Sequence, residues 1–182
     1  MAETTGILAR LAGIDERITR PLTLPAKPRL PGLLALGIAH SGDSWIWGGL
    51  LVAAWFLGDS TWKARAIVIF AGLVLAELAT VGVKFIVRRP RPAGTSGAIY
   101  RRMDPYSLPS GHAARAAMLC ILSFLMGPPA AFWAILAWSP VMVLSRIAIG
   151  IHYVFDVLLG TIMGALLTWA LWLVVPMIIA RI

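Results

Sequence analysis

Charge is scarce in this 182-residue chain: 13% of the residues are charged against 59% hydrophobic, and the mean hydropathy is +0.84. Soluble domains carry about 25% charged residues, so the bilayer is the expected solvent. Cysteine is nearly absent. The single Cys120 excludes an intramolecular disulfide and reads as a packing residue in an apolar run. Histidine is limited to three, His40, His112 and His152, with no His-x-x-x-His or similar ligand spacing, so no metal and no cofactor is expected. Acidic residues are half as many as basic ones, 8 against 16. The excess positive charge must lie in the few polar segments, where it suits acidic headgroups or phosphorylated substrates. No polar stretch is long enough to seat a strand or duplex, which excludes nucleic acid as a partner. The first 20 residues contain Glu3, Arg10, Asp15, Glu16, Arg17 and Arg20 and no apolar core, so they do not read as a cleaved signal.

What the chain has in abundance is long apolar runs. The spacing predicts spans at about Trp45–Leu57, Ala66–Val87, Gly111–Met126, Ala130–Leu144 and Tyr153–Ile179, near the ~20 residues that cross a bilayer. Five is the expected count within a range of four to six. Leu33–Ala39 is too short to span alone, and Asp59–Arg65 reads as a tight polar turn. Ahead of the spans, residues 6–18 place Ile7, Leu8, Leu11, Ile14 and Ile18 at helical spacing, with Arg10, Asp15 and Arg17 largely on the other side. This predicts a helix lying on the membrane surface. Pro21, Pro25, Pro28 and Pro31, with Lys27 and Arg29, then mark an extended basic connector. The expected fold is an all-α polytopic membrane bundle forming one domain over residues 1–182. Residues 1–32 are its surface helix and connector, and residues 84–156 hold its chemistry.

Three polar stretches interrupt the apolar pattern: Lys84 to Arg91-Pro92, Pro109-Ser110-Gly111-His112, and Ser145-Arg146 followed by His152 and Asp156. Alternating span directions bring all three to one membrane face. A phosphoryl group in transfer needs fixed cationic donors for its equatorial oxygens, and Lys84, Arg91 and Arg146 can supply them. An arginine beside a span often serves as a flanking anchor, but Lys84 lies several residues inside the apolar run. Ser110 is placed to cap a helix whose first-turn N–H groups could receive an anion, with Gly111 permitting close approach. His112 follows in position to protonate a leaving oxygen. His152 and Asp156 share one helical face, so the carboxylate can orient a histidine acting as nucleophile or base. Glu77, within a span and on a face similar to that of Lys84, needs a partner, either Lys84 or another cation. Asp43 beside His40 suggests a local turn or cap. The loop from Ala93 to Leu108 is expected to lie over the site.

Taken together, Lys84-x6-Arg91-Pro92, Pro109-Ser110-Gly111-His112 and Ser145-Arg146-x5-His152-x3-Asp156 resemble the three-part signature of the type 2 phosphatidic acid phosphatase family, relatives of the vanadium haloperoxidases. The resemblance covers residues 84–156. It implies a metal-independent membrane phosphatase of six-helix type, acting on lipid phosphates or diphosphates through a phosphohistidine. It also implies that His152 is the nucleophile oriented by Asp156, that His112 protonates the leaving group, and that Lys84, Arg91, Ser110, Gly111 and Arg146 bind phosphoryl oxygens. The chain departs from the family in showing no span before residue 33, where the surface helix stands instead.

The expected function is hydrolysis of the terminal phosphate of a polyprenyl diphosphate, phosphatidylglycerol phosphate or phosphatidate, with membrane lipids as the surrounding partners. A lipid phosphotransferase and a non-catalytic lipid-phosphate binding or transport protein are the alternatives. N-terminal basic residues on the face of the site point it toward the cytoplasm by the positive-inside tendency. Bacterial family members usually work on the outer side, and an extracytoplasmic site in a bacterial plasma membrane is the expectation.

Overall fold

A computed structural model describes residues 2–25, 30–93 and 104–179. The described chain is built from seven helices: α1 Ala2–Thr19, α2 Leu30–His40, α3 Ser44–Leu57, α4 Ser60–Val87, α5 Gly111–Met126, α6 Pro129–Ala148 and α7 Val154–Ile179. The one β-type contact among the described residues is an isolated bridge between Pro90 and Tyr106. Among the described residues three helices are long and apolar enough to cross a membrane: Ser60–Val87, Pro129–Ala148 and the Val154–Pro176 part of α7. The shorter apolar helices α2, α3 and α5 complete the bundle.

α5 is the central element, packed against α4, α6 and α7. Ala114, Met118 and Leu122 on α5 bury against Val68 and Ala76 of α4 and Leu171 and Val175 of α7. Gly160 and Gly164 set the α5–α7 distance. A Cβ on Gly160 would collide with the backbone of Ser110, and one on Gly164 with the backbone of Ala114. This is the small-residue spacing that lets two membrane helices touch main chain to main chain.

Several expected boundaries shift. Asp59–Arg65 is not a turn, because the Asp59 carboxylate accepts from Trp62 N–H at 2.9 Å and starts α4 at Ser60. The first apolar run is two helices, since α2 begins at Leu30 with Pro31 in its first turn. The connector expected up to residue 32 is correspondingly shorter, with a 3-10 turn at Arg20–Leu22, and its residues 26–29 lie outside those described. α2 and α3 join at Ser41-Gly42-Asp43, where Ser41 Oγ donates to Ile38 O at 2.6 Å and Trp138 Nε1–H donates to Ser41 Oγ at 2.8 Å.

α1 also differs from expectation on its polar side. Leu11, Ile14 and Ile18 are exposed, forming the outward apolar stripe, but Asp15 and Thr19 are buried against the bundle. Asp15 is therefore a contact with the protein and not part of a solvated face.

Candidate active site

The three polar stretches are placed by helix ends. α4 stops because Arg88 adopts a left-handed conformation (φ 53°, ψ 36°), its N–H closing on Lys84 O at 2.8 Å. The chain then turns back as an extended segment, which Pro90 and Pro92 favour. It is pinned by Ser107 N–H donating to Arg89 O at 2.9 Å and by Ser107 Oγ donating to Pro90 O at 3.2 Å. Lys84 and Arg91 both reach the carboxylate of Asp104, at 2.6 Å from Arg91. Arg91 also donates to Asp104 O at 2.7 Å and Ile151 O at 2.8 Å. Residues 94–103 of the expected covering loop lie outside those described.

Ser110 takes an extended conformation as the N-cap of α5, and its Oγ accepts from Ala113 N–H at 3.4 Å. Its own N–H donates to Asp156 O at 2.9 Å, tying the start of α5 to the first turn of α7. Gly111 follows as the first residue of α5. Arg146, on the last turn of α6, is buried and donates to Ala39 O at 3.4 Å. It lies close enough to His112 and to His152 to act on the charge of both.

His152 is buried between Arg91 and Asp156. An Arg91 nitrogen stands 3.3 Å from its Nε2. Guanidinium can only donate, so in this geometry Nε2 is the acceptor and the ring proton is on Nδ1, facing Asp156 Oδ2 at 3.5 Å. Burial pushes the imidazole down; Asp156 opposes it, Arg91 and Arg146 reinforce it, and the pKa is lowered to about 4. His152 is thus neutral near pH 7 with its lone pair on Nε2. Asp156 is held in turn by Arg89 at 2.8 Å and by Tyr153 N–H at 2.9 Å.

His112 is built the same way from different parts. Arg115 donates to its Nδ1 at 3.1 Å, which leaves the proton on Nε2, 2.9 Å from Asp43 Oδ1. The other oxygen of Asp43 accepts from His40 Nδ1–H at 2.8 Å. Asp43 stands in the expected turn, its N–H donating to His40 O at 2.9 Å, and at the N-cap position of α3, but its carboxylate makes no cap hydrogen bond and instead bridges two histidines. Glu77 pairs with Arg115, one of the two kinds of partner expected for it. Periodicity alone did not single out Arg115, although its place three residues after His112 on α5 was a usable signal. Asp104 left no local sign. Among the described residues no group of three or more His, Cys, Asp or Glu side chains is arranged to hold a metal.

Solved structures share this arrangement of helices. The chain is similar to the decaprenylphosphoryl-5-phosphoribose phosphatase of Mycobacterium tuberculosis, 34% identical over 140 residues that cover 74% of this chain and 76% of the relative. Its fold is shared with the crystal structure of a transmembrane PAP2-type phosphatidylglycerolphosphate phosphatase from Bacillus subtilis, with a TM-score of 0.74 at 23% identity, covering 90% of this chain and 85% of that one. The fold is also shared with Aquifex aeolicus LpxE, with a TM-score of 0.68 at 18% identity, covering 86% and 93% of the two chains. The family model of the PAP2 superfamily matches residues 65–180, from the first turns of α4 to the end of α7 and through all three polar stretches, and this membrane protein belongs to that phosphatase family.

Proposed function

We propose that the protein is an integral-membrane lipid phosphatase that hydrolyses the terminal phosphate of a lipid phosphate or diphosphate through a phosphohistidine at His152. The observation that carries this reading is the state of His152: buried, neutral, its Nε2 lone pair directed at Arg91, with Arg146 close by. A phosphoryl group drawn to those cations meets a nucleophile that needs no deprotonation. Nε2 forms the bond to phosphorus as the bond from phosphorus to the leaving oxygen breaks, an ester in a lipid phosphate and an anhydride in a diphosphate, and Asp156 stabilises the positive charge that develops on the ring. The leaving oxygen takes the Nε2 proton of His112, which acts as an imidazolium: the ring first gains a second proton at Nδ1 from solvent as the anionic substrate binds, and Arg115 turns away from that nitrogen. Water then attacks the phosphohistidine, giving a proton back to His112, and cleavage of the phosphorus–nitrogen bond releases inorganic phosphate. The proton of His112 lies on the nitrogen that faces Asp43, so the leaving oxygen must enter that hydrogen bond. Lys84, Arg91 and Arg146, with the Ser110 and Gly111 end of α5, hold the remaining oxygens.

The lipid tail stays in the bilayer, which is why the polar part of the molecule is so small. Polyprenyl diphosphate, phosphatidylglycerol phosphate and phosphatidate all fit this chemistry. The name of the mycobacterial relative adds a phosphorylated sugar on a polyprenyl phosphate as a fourth class. The proposal places the site on the outer face of a bacterial plasma membrane.

The test is phosphate release by purified protein across these four lipids, with chelator and with vanadate. Turnover that survives chelator, is blocked by vanadate and disappears in His152→Ala is expected. A strict metal requirement, or full activity in that variant, overturns the proposal.

A further inference from the structure

Helix α7 carries Asp156 in its first turn, and the exposed N–H groups of such a turn need acceptors. Thr19 Oγ1 of α1 accepts from Val154 N–H at 3.1 Å, and Asp15 Oδ1 accepts from Phe155 N–H at 3.0 Å. The second oxygen of Asp15 meets Arg89 at 2.7 Å, and the same Arg89 nitrogen is 2.8 Å from Asp156 Oδ1. Arg89 also lies 4.0 Å over the ring of Tyr153. Asp15, Thr19 and Asp156 are all buried. A carboxylate on a surface helix has no reason to be fully buried unless its partners are fixed and charged.

We infer that α1 is a working part of the catalytic site: Asp15 and Thr19 cap the catalytic helix from outside, and Asp15 acts through Arg89 to position Asp156 against His152. The two carboxylates share one guanidinium. With Asp15 present, half of the charge of Arg89 is answered elsewhere, and Asp156 keeps an oxygen for the histidine. Without it, Arg89 is free to move onto Asp156, and the first turn of α7 loses an acceptor. Asp15, Thr19 and Arg89 are positioning residues that touch no substrate. The inference rests on the proposed function of His152.

The experiment compares Asp15→Asn, Thr19→Val and Thr19→Ser in the full chain, measuring kcat and KM, the pH profile and the thermal midpoint of each purified protein. Asn keeps the shape and the Oδ1 acceptor of Asp15 and removes only the charge that faces Arg89. Asp15→Asn is expected to lower kcat about tenfold, the loss of one charge-assisted contact felt in the transition state, with KM unchanged. The acidic limb of its pH profile should move to lower pH, because Arg89 left uncompensated disfavours protonation of His152. Thr19→Val should lower kcat by a smaller factor, and Thr19→Ser, which restores the acceptor, should return it to the wild-type value. A merely structural role would lower the thermal midpoint and the yield while leaving kcat per folded molecule and the pH profile unchanged, and that outcome overturns the inference. If the wild-type protein releases phosphate and His152→Ala does not, while Asp15→Asn matches wild type, this inference alone fails. If the wild-type protein releases none, the proposed function itself fails.

Discussion

The two histidines of the site are held by carboxylates in opposite ways. His152 and Asp156 are four residues apart and meet at 3.5 Å across the bend that leads into α7, both fully within the protein. His112 and Asp43 are 69 residues apart, meet at 2.9 Å, and remain partly exposed. The looser contact is the local one, and it is not the shared helical face expected from the spacing: His152 lies in the bend before α7 and Asp156 in the first turn of that helix. The tighter one requires the α2–α3 junction to be delivered to the start of α5 by the packing of the bundle. Under the proposed mechanism His152 needs a fixed orientation and an unprotonated ring, which burial provides. A group that exchanges protons with a leaving oxygen and with water needs access, which the half-open Asp43 side allows.

Replacing each histidine in turn separates these roles most sharply. His152→Ala should reduce turnover by at least about a thousandfold, since no other group can carry the phosphoryl intermediate, and phosphohistidine trapping with labelled substrate should find no adduct. His112→Ala should reduce it by about a hundredfold with an alkyl-phosphate substrate, within the usual range for a general acid. It should cost far less with an aryl phosphate, whose leaving group needs no proton. Equal losses on both substrates would erase the distinction between the pairs.

Asp43→Asn should lower kcat about tenfold on alkyl phosphates, following the loss of one charged hydrogen-bond acceptor. This variant should leave the acidic limb of kcat/KM in place. That limb is assigned to His152, whose pKa of about 4 follows from burial and from Arg91 and Arg146. The imidazole is an unprotonated nucleophile above that value and is lost as pH falls through it, so activity should persist through pH 5 and drop near pH 4. A limb near the ordinary histidine value of about 6.5 would mean that His152 is more exposed to water than its surroundings indicate. The smallest effect lies away from both pairs. Arg88→Gly removes a side chain from a left-handed position and should raise stability by up to about 1 kcal/mol, measured by chemical denaturation, with kcat unchanged.

The parts that were legible in the sequence are those in which chemistry and period coincide. The three polar stretches, the limits of α5 at Gly111 and Met126, and the Ser110 cap could be read from local spacing alone. So could the membrane class. The polar residues after Asp59 look like a turn in the sequence, yet they sit on the first turns of a helix that Asp59 caps. Leu33–Ala39 reads as too short to span, and the 11-residue α2 that contains it is one of the shorter apolar helices; its junction with α3 gives it a place. Asp15 fell on the polar side of an amphipathic pattern, and nothing in that pattern distinguishes water from a buried guanidinium as its neighbour. Asp43, Arg115 and Asp104 share the same difficulty. Their partners are distant in the chain, so their meaning depends on which helices touch.

One of those touches governs the rest. Where Gly160 and Gly164 face Ser110 and Ala114, no side chain separates the helix that bears His112 from the helix that bears Asp156. A joint made of peptide backbone has no rotamers through which to relax. The spacing of His112 and Asp156 is consequently a constant of the scaffold, and under the proposed mechanism the gap between them does not depend on the hydrophobic chain that the phosphate carries.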